Sequence, residues 1–140
     1  MIPGGISERL YAAYNGHDID ALERLYAADG THEDVAQGRP KRGARAIAEG
    51  FGRFLGWFPD AHWEAQEEIV DLHGRIAIPY RLTASLQADM GPISARGQQI
   101  ALRGVHILHV AGDHIQRSED YWDASTFQRQ INSIETEKKA

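Results

Sequence analysis

A histidine and an aspartate fourteen residues apart are the side chains here best suited to move a proton. His106 lies in the apolar run Gly104-Val105-His106-Ile107-Leu108. Asp120 lies in Ser118-Glu119-Asp120-Tyr121-Trp122-Asp123. Both runs read as short strands, joined at Ala111-Gly112-Asp113-His114. On one face, beside apolar neighbours, the two form an acid/base pair whose pKa values burial and mutual charge draw toward neutrality. A three-residue connection (Ala111–Asp113 or Gly112–His114) places them on the same side. A two-residue turn at Gly112-Asp113 places them on opposite sides, because side chains alternate along a strand.

Each candidate also has a plainer reading. Asp120 fits a solvated charge at a strand end, although burial of one member of the acidic stretch Glu119-Asp120 … Asp123 would raise its pKa and suit a general base. His106 fits a core histidine held by a backbone carbonyl. His109 lies three residues on, hence on the opposite face. None of the seven histidines shows metal-ligand spacing, so no metal and no cofactor is expected. Asp123 reads as a helix cap and Arg103 as a solvated or ion-paired strand residue. Tyr14, Phe51, Phe54, Trp57, Trp63 and Trp122 are candidates to line a cavity for a flat aromatic or polycyclic ligand. Tyr14, Phe51, Trp63 and Trp122 are taken as lining, and Phe54 and Phe58 as core.

The elements that must position these groups follow from periodicity. Ile6, Leu10, Ala13 and Tyr14 mark a helix over residues 7–15. Asp18 caps a second helix carrying Ile19, Leu22, Leu25 and Tyr26, which Asp29-Gly30 ends. Residues 31–35 suggest a short strand and Gln37-Gly38-Arg39-Pro40 a loop. The clearest helix holds Ala44, Ile47, Ala48, Phe51, Phe54, Leu55 and Phe58 on one face. Its Gly50, Gly52 and Gly56 each weaken it by about 1 kcal/mol relative to Ala, and glycine also marks close approach by another surface. Strands are expected over 63–72, 75–86, 98–110 and 114–122, with Pro79 at an edge or a bulge. Asp89–Gly97 is a loop. A last helix runs from Asp123 through Phe127 and Ile131, and Glu135–Ala140 reads as a frayed tail. Helices, then a strand meander, then a helix predict an α+β fold with helices covering one face of an antiparallel sheet.

The totals exclude several classes. The 140 residues suit one domain spanning 1–140, with its core about 6–131. With 42% hydrophobic and 25% charged residues, disorder is not expected outside the ends. A net charge of −5 without a basic stripe argues against nucleic acid. No cysteine is present for disulfides or thiolate chemistry. No run reaches transmembrane length and the start lacks signal-peptide character, so neither a membrane nor an export role is expected and the location expected is the cytoplasm.

Several segments together resemble the SnoaL-like polyketide cyclases of the nuclear transport factor 2-like superfamily, which also holds ketosteroid isomerases. These are Tyr14-Asn15-Gly16-His17-Asp18, Gly38-Arg39-Pro40-Lys41-Arg42-Gly43, Phe58-Pro59-Asp60, Arg103-Gly104-Val105-His106 and Asp120-Tyr121-Trp122-Asp123. The resemblance implies a curved antiparallel sheet wrapped into a cone by helices, an apolar cavity and a homodimer. It places an aldol-type ring-closing acid/base at Asp120, helped by His106, with no cofactor, and an aromatic pocket residue at Tyr14. A second correspondence, Thr31-His32-Glu33-Asp34, is similar to the segment bearing the isomerase base and places that base at Asp34. The isomerases' oxyanion tyrosine corresponds here to Leu10, which cannot donate a hydrogen bond. From its local sequence alone, Asp34 reads as a turn residue.

The reading favoured is an acid/base enzyme acting on an apolar, conjugated carbonyl compound through an enolate. Its alternatives are a double-bond isomerase using Asp34, and an epoxide hydrolase, for which no Asp-Arg-Asp set is found. A non-catalytic ligand-binding or dimerising module is the alternative from another class.

Overall fold

The computed structural model describes residues 4–133; the tail expected over Glu135–Ala140 lies outside them. Helix α1 spans Ile6–Asn15 and buries Leu10, Tyr11, Ala13 and Tyr14 on the stripe its spacing marks. Asp18 caps α2 (Ile19–Leu25) by accepting the Ala21 N–H at 3.0 Å. The helical pattern was expected to run through Tyr26, but the chain is extended from there as β1 (Tyr26–Asp34). Tyr26 is buried and its hydroxyl meets Ser118 Oγ at 2.5 Å, so a tertiary anchor overrides the local period. The expected loop around Arg39-Pro40 contains β2 (Arg39–Arg42), antiparallel to β1. Arg39, Pro40 and Arg42 are exposed, so no apolar alternation announces the strand.

Helix α3 (Ala44–Trp57) buries Ala44, Ile47, Ala48 and Phe51. The single strand expected over 63–72 is instead two, β3 (His62–Ala65) and β4 (Ile69–Val70), both antiparallel to β5 (Ile76–Ser85). This break accounts for Pro79, which sits inside the sheet rather than at an edge. Its carbonyl accepts the Gln66 N–H at 2.8 Å, so its ring nitrogen faces the same side, where the partner strand is interrupted. The missing N–H therefore costs no ladder bond.

Strands β6 (Gln99–Ala111) and β7 (His114–Trp122) precede α4 (Ala124–Ile131), which Asp123 caps at the Ser125 and Thr126 N–H groups. The strand order is β2-β1-β7-β6-β5-β3, with β4 also on β5. The sheet is antiparallel except where β1 runs parallel to β7. A parallel neighbour needs a long crossover, and nearly the whole chain between Asp34 and His114 supplies it. Buried residues of β5 and β6, among them Ile78, Leu82, Leu102 and Leu108, join Leu10, Leu22, Ile47 and Phe58 from the helical layer in one core. The fold is α+β.

The β6–β7 hairpin settles which acid faces inward. Its turn is the two-residue one, with Ala111 opposite His114 and Gly112 at φ 61°, a left-handed conformation open to glycine. Alone, that turn would separate His106 and Asp120. A β-bulge corrects the register: Val110 pairs with Ile115 but His109 with Arg117, leaving Gln116 extra. His106 then lies directly opposite Asp120. Glu119 is turned to the other face, beside Arg117 at 2.6 Å and His109 at 3.8 Å. His109 thus faces away from His106, as the spacing predicts.

Candidate active site

A cavity of about 420 Å³ opens between the sheet and the helices. From the sheet come His32, Asp34, Lys41, Tyr80, His106, Asp120 and Trp122; from the helices come Tyr14, Phe51, Phe54 and Trp57. Trp63 lines it too, so all four expected lining residues are in place. Phe54 and Phe58, expected as plain core, line it as well. Both turn inward from the α3 stripe and its end, where core and cavity wall are the same surface.

His106 is 1% exposed and Asp120 14% at the side chain, with Nε2 3.3 Å from Oδ2. Tyr11 meets the other ring nitrogen, Nδ1, at 2.5 Å. The arrangement that matches every donor has Nε2–H donating to Asp120 and Nδ1 accepting from the Tyr11 hydroxyl. Tyr80 donates to Asp120 Oδ1 at 2.6 Å, and its ring stacks on His106 at 4.7 Å between centroids. Tyr14 lies 3.4 Å from His106 Nε2. Since that nitrogen is a donor, the Tyr14 proton is not spent there. Burial first, then the Asp120 charge, raise the Tyr11 and Tyr80 hydroxyls well above the tyrosine value of 10.0. Burial dominates the rise at Tyr14 and Tyr26 as well. All four remain donors near neutral pH.

Gly104 makes the Tyr80 contact feasible. It lies between Tyr80 on β5 and Trp122 on β7. A Cβ there would come within 2.6 Å of Tyr80 Cζ and 2.7 Å of the Tyr121 carbonyl oxygen. Only glycine leaves room for the phenol to lie across the strand and reach Asp120.

A second histidine–aspartate pair stands on the neighbouring strand. Parallel pairing puts His32 beside Ser118 and Asp34 beside Asp120. His32 Nδ1 lies 2.7 Å from Ser118 Oγ, which Tyr26 also contacts, and His32 Nε2 lies 3.6 Å from Asp34. Trp122 Nε1–H donates to Asp34 at 3.3 Å. Burial raises the Asp34 carboxyl, but the His32 hydrogen bond and charge, the Trp122 bond and the Lys41 charge together hold it below the usual value of 3.8. The Asp34 backbone carbonyl also accepts from Gln37 and Gly38, so the expected turn role is present beside the cavity position. One ligand atom each of His32, Asp34 and Asp120 lie within 4.8 Å of one another, close enough to hold a metal ion. Reading histidine spacing alone misses that set, because two strands distant in sequence assemble it. The hydrogen bonds above equally account for all three.

Other site residues escaped the sequence reading. Tyr80 is an inward position of an alternating strand, and Gly104 is a glycine within one; together they are a readable signal. His32 and Asp34 share a face at spacing two. Tyr11, Tyr26 and Ser118 carry no local signal. Leu10 lies fully buried in the core, and hydroxyls reach the cavity from Tyr14 and Tyr80 instead. Among the described residues no helix is long and apolar enough to cross a membrane.

Comparisons with known proteins agree with this architecture. A protein of ketosteroid isomerase-like fold from Catenulispora acidiphila, solved with trimethylamine, superposes with a TM-score of 0.79 at 22% identity, covering 92% of this chain and 93% of that one. A protein from Jannaschia sp. CCS1 assigned to the SnoaL-like polyketide cyclases gives 0.81 at 14% identity, covering 92% and 90%. TerC, co-crystallised with polyporic acid, gives 0.75 at 19% identity, covering 91% and 96%. At these identities the likeness is one of fold. A search of curated proteins finds no match. The family model for SnoaL-like polyketide cyclases matches residues 6–131, and the chain belongs to that family, with the cone-forming α+β fold of the nuclear transport factor 2-like superfamily.

Proposed function

We propose that this chain catalyses an aldol-type ring closure of an apolar carbonyl compound, with Asp120 as its acid/base. The observation that carries the reading is the Asp120 carboxylate, facing a largely aromatic cavity and oriented by His106 Nε2–H and the Tyr80 hydroxyl. Asp120 takes a proton from the carbon next to a substrate carbonyl, and the electron pair moves to the carbonyl oxygen as an enolate. The Tyr14 proton is available to that oxygen in a largely aromatic cavity. The enolate carbon attacks a second carbonyl of the same molecule, and the new alkoxide recovers the proton from Asp120. His106 orients Asp120 and keeps its own proton. The side chains supply every proton transfer, consistent with a reaction needing no cofactor.

An isomerase reading moves the base to Asp34, which also lines the cavity. The His32 and Trp122 contacts and the Lys41 charge hold its carboxyl below the usual value, which weakens it as a base. The ligand is expected to be small, apolar and aromatic or polycyclic; TerC's capture of polyporic acid in the same fold supports a ligand-binding cavity. A homodimer is expected from the family reading, and sedimentation of the purified chain tests it.

The test pairs a 1,5-diketone able to close with a β,γ-unsaturated ketone able to isomerise. Ring closure that disappears in Asp120→Asn supports the proposal. Isomerisation that survives Asp120→Asn and disappears in Asp34→Asn replaces it. Binding without turnover of any carbonyl compound, unchanged in an Asp120→Ala, His106→Ala double variant, makes the chain a carrier.

A further inference from the structure

Lys41 is the one Lys or Arg among the described residues that line the cavity. It sits on β2, paired with His32, and is half-buried. The other cavity charges have partners: Asp34 has His32 and Trp122, and Asp120 has His106 and Tyr80. Among the described residues Lys41 has no carboxylate within 4.0 Å; Asp34 feels its charge from beyond that distance. A half-buried cation whose nearest carboxylate is out of contact keeps its hydrogen-bond donors open to an anionic oxygen.

The neighbouring helix is shaped to hold its stem. Gly50, inside α3, lines the same cavity, and a Cβ there would come within 2.7 Å of Lys41 Cε and 3.2 Å of Cδ. A glycine in mid-helix weakens the helix, so its presence under the lysine stem is bought by the passage it leaves. The stem passes α3 at the glycine, and Lys41 lines the cavity beside it.

We infer that Lys41, crossing α3 over Gly50, receives an anionic oxygen of the cavity ligand, so that the chain selects aromatic or conjugated molecules bearing a carboxylate or an enolate-type oxygen. The inference rests on the cavity being the ligand site. It adds a charge requirement that the aromatic walls do not impose.

The probes are 2-naphthoate and 2-naphthamide, nearly equal in shape and different in charge. Calorimetric titration of wild type, Lys41→Met, Lys41→Gln and Gly50→Ala measures their affinities, and amide chemical-shift changes at Gly50 and the Trp122 indole locate the site. Both lysine variants are expected to weaken naphthoate about tenfold and to leave naphthamide within about twofold. Gly50→Ala is expected to weaken naphthoate while holding or raising the melting temperature, since alanine favours the helix but displaces the lysine stem. A purely structural role for Lys41 would not separate the two probes. Equal weakening of both, unchanged naphthoate affinity, or naphthoate bound without shifts at the cavity overturns the inference, and naphthamide binding then leaves the cavity reading standing. If neither compound binds wild type, the cavity reading falls and the charge requirement with it.

Discussion

His106–Asp120 and His32–Asp34 stand on neighbouring strands, with Asp34 and Asp120 paired in register, yet their surroundings differ. Around the first, Tyr11 and Tyr80 are donors whose protons do not leave near neutral pH, and the unspent Tyr14 hydroxyl is close by. Around the second, an indole N–H, a histidine and a nearby lysine favour the anion and hold the carboxyl below its usual range. The same residue types therefore support different work. On the proposed reading Asp120 has beside it the hydroxyl donors an enolate needs, while Asp34 is held as an anion at the cavity edge.

The largest effect should come from removing each carboxylate in turn. Asp120→Asn is expected to lower turnover by about 10²–10⁴-fold, the usual weight of a general base, and Asp34→Asn by less than about tenfold, both read by steady-state kinetics. Equal losses would erase the distinction.

Next in size is the support behind the first pair. Gly104→Ala drives a methyl group into Tyr80 and the Tyr121 carbonyl, and should cost about 1–3 kcal/mol in urea denaturation. Tyr80→Phe keeps the ring over Gly104 and removes only its bond to Asp120, so about 1 kcal/mol is expected. If Gly104→Ala is as mild as Tyr80→Phe, the close fit is not what holds the tyrosine.

The pairs also predict opposite ends of the pH–stability curve. Tyr11, Tyr14, Tyr26 and Tyr80 have folded pKa values raised above 10.0. The folded state keeps these protons where the unfolded chain loses them. Stability is therefore intact below pH 10 and falls above it, by about 1.4 kcal/mol per pH unit for each such tyrosine. Asp34 has the opposite sign: its contribution is present above 3.8 and is lost as pH falls through the lower folded value. Asp34→Asn should flatten the acid limb and alter the alkaline limb only slightly, because burial is the largest cause of the tyrosine shifts and the Asp34 charge the last of those named for Tyr14, Tyr26 and Tyr80; both are followed by denaturant titration at fixed pH. This is the smallest effect of the set.

How far the sequence carries is visible in the β6–β7 hairpin. The spacing of His106 and Asp120 is legible, and the Gly112-Asp113 turn is one of three connections the sequence leaves open, but that turn alone puts the two residues on opposite faces. The extra residue Gln116 reverses that. A bulge is chosen by pairing across the whole ribbon, and nothing local at Gln116 announces it. The helices α1 and α3 and the cap at Asp123 were legible because their determinants lie within a few residues. Strand β1 was legible only from Thr31 onward, because what draws Tyr26 out of the helical pattern is Ser118, far along the chain. Of the second pair, Asp34 was named through the resemblance, but His32 was hidden for the same reason: it acquires its meaning only when β1 lies beside β7.

The central claim, that Asp120 rather than Asp34 removes a proton next to a carbonyl, can be tested without the natural substrate. Exchange of the α-protons of 2-tetralone for deuterium, followed by proton NMR, reports that step alone. Wild type and Asp34→Asn are predicted to speed exchange above buffer while Asp120→Asn does not. Exchange retained by Asp120→Asn and lost by Asp34→Asn would contradict it.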